Sequence, residues 1–460
     1  MSEIEMDALT RCRDRFKSGA LSSVPARLQA LESLRRAVRE HEREIFQALH
    51  ADLGRSDEES YIGEVGFLYE EIAFAKKHLR CWARPERVPT PLAFWPARSR
   101  IYREPVGTAL ILGPWNYPFQ LVLSPLVGAL SAGCTAVLKP SEQAAATSKI
   151  LARVVGSAFP AGEAVVVEGG GAAARALLAL RWDHIFFTGG GRVAKEVLAA
   201  AAPHLTPVTL ELGGKNPCLV LPGGRLDVTA RRIAWGKFFN AGQTCVAPDY
   251  LLVHRSVAGR LVSALGDAVT KFFGADPSKT PEYGRIVSAR HFERLSALLK
   301  EGTAAVGGGC DPATRYIAPT VLTGVKPDAQ LMQEEIFGPI LPVLEYGDLD
   351  EAMAFVSARP KPLSLYVFGG NAAERGRVLK GLSFGGGCAN DTLIHLGNPR
   401  LPFGGVGESG TGAYHGRHGF ETFSHRKSVV LKPFWGDLPF RYPPFAGRLP
   451  LLRRLLGGTG

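Results

Sequence analysis

A thiol set behind a small, polar, glycine-containing turn is well placed to meet a substrate, and the run Phe239-Asn240-Ala241-Gly242-Gln243-Thr244-Cys245 has that form. A free cysteine has a pKa of about 8.5, so only a small fraction is thiolate near neutral pH and a base or a positive dipole must assist it. The sequence offers such a base at Glu211. This residue lies in Val208-Thr209-Leu210-Glu211-Leu212-Gly213-Gly214, a β-branched and apolar run ending in two glycines. That pattern predicts a buried strand that delivers Glu211 near its C-terminal end, where open α/β sheets place their chemistry. Two plainer readings stand beside this one: Cys245 as a small buried hydrophobe, and Glu211 as a carboxylate paired with Lys215.

The elements that must position these groups follow a regular alternation. A long amphipathic helix is expected from Ser23 to Leu53 and another from Glu64 to Trp82, while the proline- and arginine-rich stretch Arg84 to Arg103 reads as an extended excursion. Strands are then expected at 108–112, 135–138, 164–168, 184–188 and 208–212, separated by helices at 118–133, 142–159, 172–180 and 193–202. Such alternation predicts a doubly wound, mostly parallel sheet with a nucleotide-binding edge. A second α/β series from Leu226 to Phe368 predicts a second domain, and the glycines between Gly385 and Gly412 predict loops that approach something closely.

With 460 residues, 46% hydrophobic and 21% charged, the chain has room for two or three soluble domains. Its seven cysteines are scattered and never form a C-x-x-C pair, so neither a disulfide framework nor a metal site is expected, and a reducing, cytoplasmic setting is. The start of the chain has no apolar core of a secretory signal. Residues 105 to 138 lack any charge, but their prolines and glycines break them into strand, turn and helix rather than a membrane span. The net charge of +11 is spread out, which excludes a nucleic-acid stripe. The tail Leu449 to Leu456, leucines around Arg453 and Arg454, is a basic amphipathic turn or two that suggests peripheral membrane contact.

Taken together and in order, Pro114-Trp115-Asn116-Tyr117-Pro118, Lys139-Pro140-Ser141-Glu142, Leu210-Glu211-Leu212-Gly213-Gly214-Lys215, the Cys245 run, Glu334-Glu335-Ile336-Phe337-Gly338-Pro339 and Leu401-Pro402-Phe403-Gly404-Gly405 resemble the aldehyde dehydrogenase superfamily. Further stretches resemble its class 3 branch, which acts on fatty and aromatic aldehydes. The resemblance implies an NAD(P)-dependent enzyme in which Cys245 is the nucleophile, Glu211 the general base and Asn116 an oxyanion donor beside the Cys245 N–H. It implies that Lys139 and Glu142 hold the adenosine ribose, with Glu142 favouring NAD over NADP. Glu335 and Phe337 would lie at the nicotinamide end, and Tyr117, Trp235, Ile394 and Phe403 would wall an apolar aldehyde channel; core packing is the plainer role for Trp235 and Phe403.

The turn Gly189-Gly190-Gly191-Arg192-Val193-Ala194 also satisfies the general dinucleotide pattern, which would assign a ribose to Glu211. The family pattern assigns the ribose elsewhere and leaves Glu211 to the thiol, with Gly189 and Gly190 lining the cofactor turn. Two departures bear on pyrophosphate binding: Gly190 stands where serine is common, and Ala194 where glycine is usual. The expected division is a cofactor domain from 1–80 and 106–210, a catalytic domain from 211–398, a bridging segment from 81–105 and 399–430 that supports a homodimer, and a basic tail from 431–460. A CoA-acylating dehydrogenase and a structural protein on the same fold remain as alternatives, the first disfavoured because Glu211 can activate water.

Overall fold

The structure, a computed structural model, describes residues 3–437 and 441–455. Its first sheet has six strands. Five run parallel in the order Val208–Glu211, His184–Thr188, Thr108–Leu112, Thr135–Lys139, Ala164–Val166, and the short Gly410–Thr411 pairs antiparallel at the Val208–Glu211 edge. The sheet is covered on both sides, because successive side chains of a strand point to opposite faces. Ala109 and Ile111 join a core with the helices Val24–Glu40, Gln120–Ala132 and Ala145–Ala158. Leu110 and Leu112 join a separate core with the helices Glu3–Lys17, Gly171–Leu178 and Gly191–Ala201. This is the doubly wound arrangement the alternation predicted.

A second sheet of seven strands holds the other half of the chain. Its order is Thr303–Val306, Thr320–Thr323, Ile340–Tyr346, Tyr250–His254, Pro217–Val220, Ser364–Phe368, Gly386–Ala389, parallel throughout except at the first pair. A third, antiparallel sheet joins Glu86–Val88 and Arg98–Pro105 to the distant Ser424–Leu431, which pairs with Arg98–Pro105 over its full length. The proline-rich excursion is therefore a hairpin completed by a strand more than three hundred residues later.

Two expectations need correction. Residues 23–53 form two helices, Val24–Glu40 and Glu42–Leu53, because the His41 N–H and its Nδ1 both turn back to the Ala37 carbonyl and end the first. The helix expected from Glu64 begins at Gly66 and runs to Trp82, preceded by a wider π-turn at Tyr61–Val65 in which Glu64 is buried. In the tail a helix spans Leu449–Leu455, and Leu456 lies outside the described residues. Among the described residues no helix is long and apolar enough to cross a membrane.

The two halves meet through a buried arginine. Arg55 is fully inaccessible; its Nη1 binds Glu64 Oε1 at 2.7 Å, its Nε donates to Asn240 Oδ1 at 2.8 Å, and its Nη2 donates to the Asn116 carbonyl. The other Glu64 oxygen accepts the N–H groups of Phe119 and Gln120 and so serves the start of the helix Gln120–Ala132, whose first donors have no intrahelical partner. Removing one member of such a pair leaves a charge buried without a counterpart, at about 3–5 kcal/mol. Arg55→Met should therefore lower the thermal midpoint measured by scanning fluorimetry, and an unchanged midpoint would show that the network does not hold the halves together.

Candidate active site

Cys245 is placed by an unusual turn. Asn240, Ala241 and Gly242 all have left-handed backbone angles, φ 54°, 50° and 73°. Side-chain-bearing residues held there cost on the order of 1–2 kcal/mol each, so surrounding contacts must enforce the turn. Asn240 supplies them. Its Nδ2 donates to the carbonyls of Asn116 at 2.9 Å and Gln243 at 3.0 Å, its N–H donates to Glu59 Oε1 at 2.6 Å, and its Oδ1 accepts from Arg55. Gly242 cannot be replaced without movement, since a Cβ there would lie 2.3 Å from the Gly338 carbonyl oxygen. Beyond the cysteine, Asn216 Nδ2 donates to the carbonyls of Cys245 at 2.7 Å and Ala247 at 3.0 Å.

Asn116 is buried and its Nδ2 donates to the Gln243 carbonyl at 3.1 Å. A primary amide has two N–H bonds, and this contact uses one of them. Next to it, the Tyr117 hydroxyl lies 2.6 Å from Thr244 Oγ1. Both residues sit in the turn between Pro114 and Pro118 and are hydrogen-bonded to the residues just before Cys245.

Glu211 ends its strand and is almost wholly buried, and neither of its carboxylate oxygens has a hydrogen-bond partner. Lys215 is not its counter-ion. The lysine instead donates to Asp249 Oδ2 at 2.5 Å and to the carbonyls of Leu331 and Glu334. Burial first, and then the charge of Glu335, raise the Glu211 carboxyl well above the usual range. Glu335 is itself pushed up to about 8 by burial and then by Asp249. The Cys245 thiol is raised by burial, then by Glu211 and Glu335, against which the N–H groups of Cys245 and Val246 act in the opposite sense. Thiol and carboxylates therefore form one electrostatic cluster around a buried space. A lysine that sequence reasoning missed, Lys237, belongs to it: fully buried, its Nζ has no hydrogen-bond partner and burial lowers its pKa to about 8.

On one side of Cys245 opens an apolar cavity of about 380 Å³. Tyr117, Trp235, Ile394 and Phe403 all line it, with Cys245 and Thr244 at its floor. Trp235 and Ile394 are partly exposed at 36% and 55%, which places them at the mouth rather than in the core; Phe403 is buried and packs against Tyr414. On another side lies a cleft of about 590 Å³ lined by Gly190, Gly191, Gly213, Gly214 and Glu335. Glu335 approaches so closely that a Cβ on Gly213 would lie 2.1 Å from its Oε2.

The residues around this cleft fit a dinucleotide. Gly190 is the N-cap of the helix Gly191–Ala201 and brings no side-chain cap, and a Cβ built at Gly190 or Gly191 meets nothing within 4 Å. Free N–H donors at a helix start, facing open space, are a site for phosphate oxygens. Gly189 is packed beneath Phe187, and Ala194, buried at 2%, fills the helix–sheet contact without blocking the turn. Lys139 ends its strand on the same sheet edge, with its Nζ 3.1 Å from Glu142 Oε2 and 2.7 Å from the Pro140 carbonyl; the Glu142 side chain is half exposed. Phe337, with φ 50°, stands edge-on to Trp115 at 5.2 Å between centroids.

Arg55, Glu59, Glu64 and Asn240 were not recognised from the sequence as parts of the site. The asparagine lay inside the cysteine run and its left-handed tendency was the available signal; the buried charges gave none, Arg55 and Glu59 lying in the highly charged run Gly54-Arg55-Ser56-Asp57-Glu58-Glu59 and Glu64 just beyond it.

Comparison with known proteins agrees with this geometry. Residues 4–429 match the pattern of the aldehyde dehydrogenase family. The chain is 46% identical to a 4,4'-diaponeurosporen-aldehyde dehydrogenase of Staphylococcus aureus over 95% of this chain and 96% of that one. It is 45% identical to a dimeric NADP-preferring aldehyde dehydrogenase of Rattus norvegicus, over 98% and 100% respectively. A substrate-bound structure of Staphylococcus aureus AldH superposes with a TM-score of 0.97 at 44% identity, covering 99% of this chain and 100% of that one. With the family pattern spanning most of its length and such relatives matched almost from end to end, the chain belongs to the aldehyde dehydrogenase family.

Proposed function

We propose that this protein oxidises apolar aldehydes, medium- or long-chain aliphatic or aromatic, to carboxylic acids with NAD(P), through Cys245 and Glu211. The observation that carries the assignment of residues is the Glu211 carboxylate, buried with both oxygens unpartnered beside a thiol at the floor of an apolar cavity. A buried polar group without a partner is costly and calls for a functional reason. Taking a proton first from the thiol and later from water supplies one.

The Cys245 sulfur adds to the aldehyde carbonyl carbon and its proton passes to Glu211. The free N–H of Asn116 and the Cys245 N–H donate to the resulting oxyanion; losing one such donor typically costs about 10²–10³ in rate. A bound oxidised nicotinamide supplies the two-electron acceptor that turns the adduct into a thioester. Once that first proton has passed on to solvent, Glu211 removes a proton from water as its oxygen attacks the thioester carbon, and the acid leaves as the C–S bond breaks and the sulfur takes a proton back. Gly189, Gly190 and the helix start behind them hold the pyrophosphate, Lys139 and Glu142 the adenosine ribose, and Glu335 and Phe337 the nicotinamide end. Glu142 repels a 2′-phosphate, so NAD is favoured and NADP also serves, in keeping with a relative described as NADP-preferring.

Tyr117, Trp235, Ile394 and Phe403 select for hydrocarbon, each buried methylene contributing about 0.8 kcal/mol. Transfer to CoA is the lesser reading, since a base poised for water would be idle in it. The cofactor domain from 1–80 and 106–210 and the catalytic domain from 211–398 follow the two large sheets. The bridging segment, 81–105 with 399–430, supports a homodimer, and the basic tail from 431 gives a cytoplasmic protein a contact with membrane surfaces.

Reduced-nicotinamide absorbance with hexanal and no CoA should show turnover, and its absence would sink the reading. Cys245→Ser should abolish it; retained activity would place the nucleophile elsewhere. Glu211→Gln should weaken the burst of reduced nicotinamide and stall the steady phase after it, whereas a steady rate close to that of the wild type would move the hydrolytic base to another residue, Glu335 first.

A stability test follows from the raised Glu211 pKa. The folded chain keeps a proton that the unfolded chain releases near pH ~4.3, so folding is penalised as pH rises from that value through the folded pKa. Glu211→Gln removes the penalty. Its thermal midpoint should exceed that of the wild type at about pH 8, with the gap shrinking toward about pH 5; a gap independent of pH would contradict the assignment.

A further inference from the structure

Tyr414 is packed among rings, yet its hydroxyl has nothing to bond. The residue is 1% exposed, and its Oη has no hydrogen-bond partner among the described residues. The ring lies against His415 at 4.0 Å between centroids and edge-on to Phe186 at 5.1 Å and to Phe403 at 5.7 Å. The backbone fixes it further: the Tyr414 N–H donates to the Phe403 carbonyl at 2.8 Å, the Phe403 N–H donates back at 3.2 Å, and the next two residues, His415 and Gly416, both bind Glu71. A hydroxyl held this firmly and left unpaired in the interior costs free energy unless something binds it.

The fold sets that hydroxyl on the side of the first sheet that carries Glu211. Thr188 and Glu211 are paired in parallel register, and Phe186 lies two residues before Thr188 on the same strand, so the side chains of all three leave the same face. Tyr414 packs on Phe186, and Gly410, shortly before it in the chain, is the strand partner of Glu211 on its other side. Both Glu211 oxygens and Thr188 Oγ1 are, like Tyr414 Oη, buried without a partner among the described residues. Tyr414 also lines the aldehyde cavity with Cys245. Burial, and then the charges of Glu211, Cys245 and Glu71, push the tyrosine pKa up, so its hydroxyl keeps its proton. Polar atoms gathered from two strands and a loop, each with bonding capacity to spare, suit a water molecule, which takes about two to four such partners.

Resting on the reading of Glu211 as the hydrolytic base, we propose that Tyr414 positions the water that cleaves the thioester. A carboxylate alone sets how near a water lies but not how it is turned, and a second contact fixes the line of attack. One O–H of the water points to a Glu211 oxygen and the other to Tyr414 Oη, which leaves a lone pair of the water oxygen facing the acyl carbon on Cys245. The new C–O bond forms and the C–S bond breaks. One proton of the water passes through Glu211 to the departing sulfur, and the other stays on the acid.

Tyr414→Phe deletes the hydroxyl and keeps the ring, and with no protein hydrogen bond lost its thermal midpoint should stay at the wild-type value. In stopped flow with hexanal and NAD, its first turnover of reduced nicotinamide should match the wild type, while steady turnover should fall about tenfold, as expected from one ordinary hydrogen bond. Acid-quenched variant should carry more hexanoyl group on Cys245 by intact-mass spectrometry than the wild type does. 2-Mercaptoethanol, which takes an acyl group from a thioester without a positioned water, should clear that group and restore the steady rate. Steady turnover at the wild-type level overturns the proposal. So does a loss that falls equally on first and later turnovers, or one that the added thiol leaves in place, since a role in packing alone would give either. Two controls separate this inference from the reading beneath it: if the wild type does not oxidise hexanal, or Glu211→Gln turns over like the wild type without holding the acyl group, that reading fails. If Glu211→Gln holds the acyl group and Tyr414→Phe does not, only the assignment of Tyr414 fails.

Discussion

The guanidinium of Arg55 has no water around it, and everything near the candidate nucleophile depends on that being tolerable. It is tolerable because three polar partners converge from distant parts of the chain: Glu64 from the π-turn, Asn116 from the proline-bounded turn, and Asn240 from the left-handed run before Cys245. A buried charge is stable only when its partners are complete. The arrangement is thus closer to all-or-none than a set of independent contacts would be, and it fixes the amide donor and the thiol in one frame. The Tyr117 ring lies under the same guanidinium at 4.6 Å, so the aldehyde wall is referred to it as well.

Around the thiol the electrostatics run the other way. Nothing cationic is hydrogen-bonded to Glu211, and Lys215, a plausible counter-ion in the sequence, is turned toward Asp249. Asp249 in turn accepts the Ile336 N–H and so anchors the loop bearing Glu335. The lysine's charge is spent on holding a carboxylate near the site, rather than on quenching the base. The result is a cluster of one thiol and two carboxyls that all resist ionisation.

Much of this was legible before any coordinates, and the part that was not has a physical reason. The parallel strands from Thr108 to Glu211 are short apolar runs set between helical periods, a local pattern, and their bounds differ from expectation by only a few residues. Cys245 and Glu211 stood out because each sits within a distinctive local run, whereas Tyr117, Trp235, Ile394 and Phe403 came from the family resemblance, and the structure puts these four on one cavity. Arg55 was not, since its partners are 9, 61 and 185 positions away and no local pattern marks a charge as buried. The break at His41 escaped for a related reason: a single side chain bonding back to a carbonyl ends a helix without disturbing the apolar stripe on either side of it. Lys237 carried no signal at all, since a lysine inside the helix Leu226–Phe238 gives no local sign of being buried.

The apolar cavity that opens on Cys245 and the glycine-lined cleft have separate sets of lining residues, with none in common. Traffic through one mouth is therefore not gated sterically by what sits in the other. On the proposed function, a released acid would have its own way out while the dinucleotide stays seated, and a molecule wedged at the Trp235 threshold would compete with aldehyde while leaving nucleotide exchange free to continue.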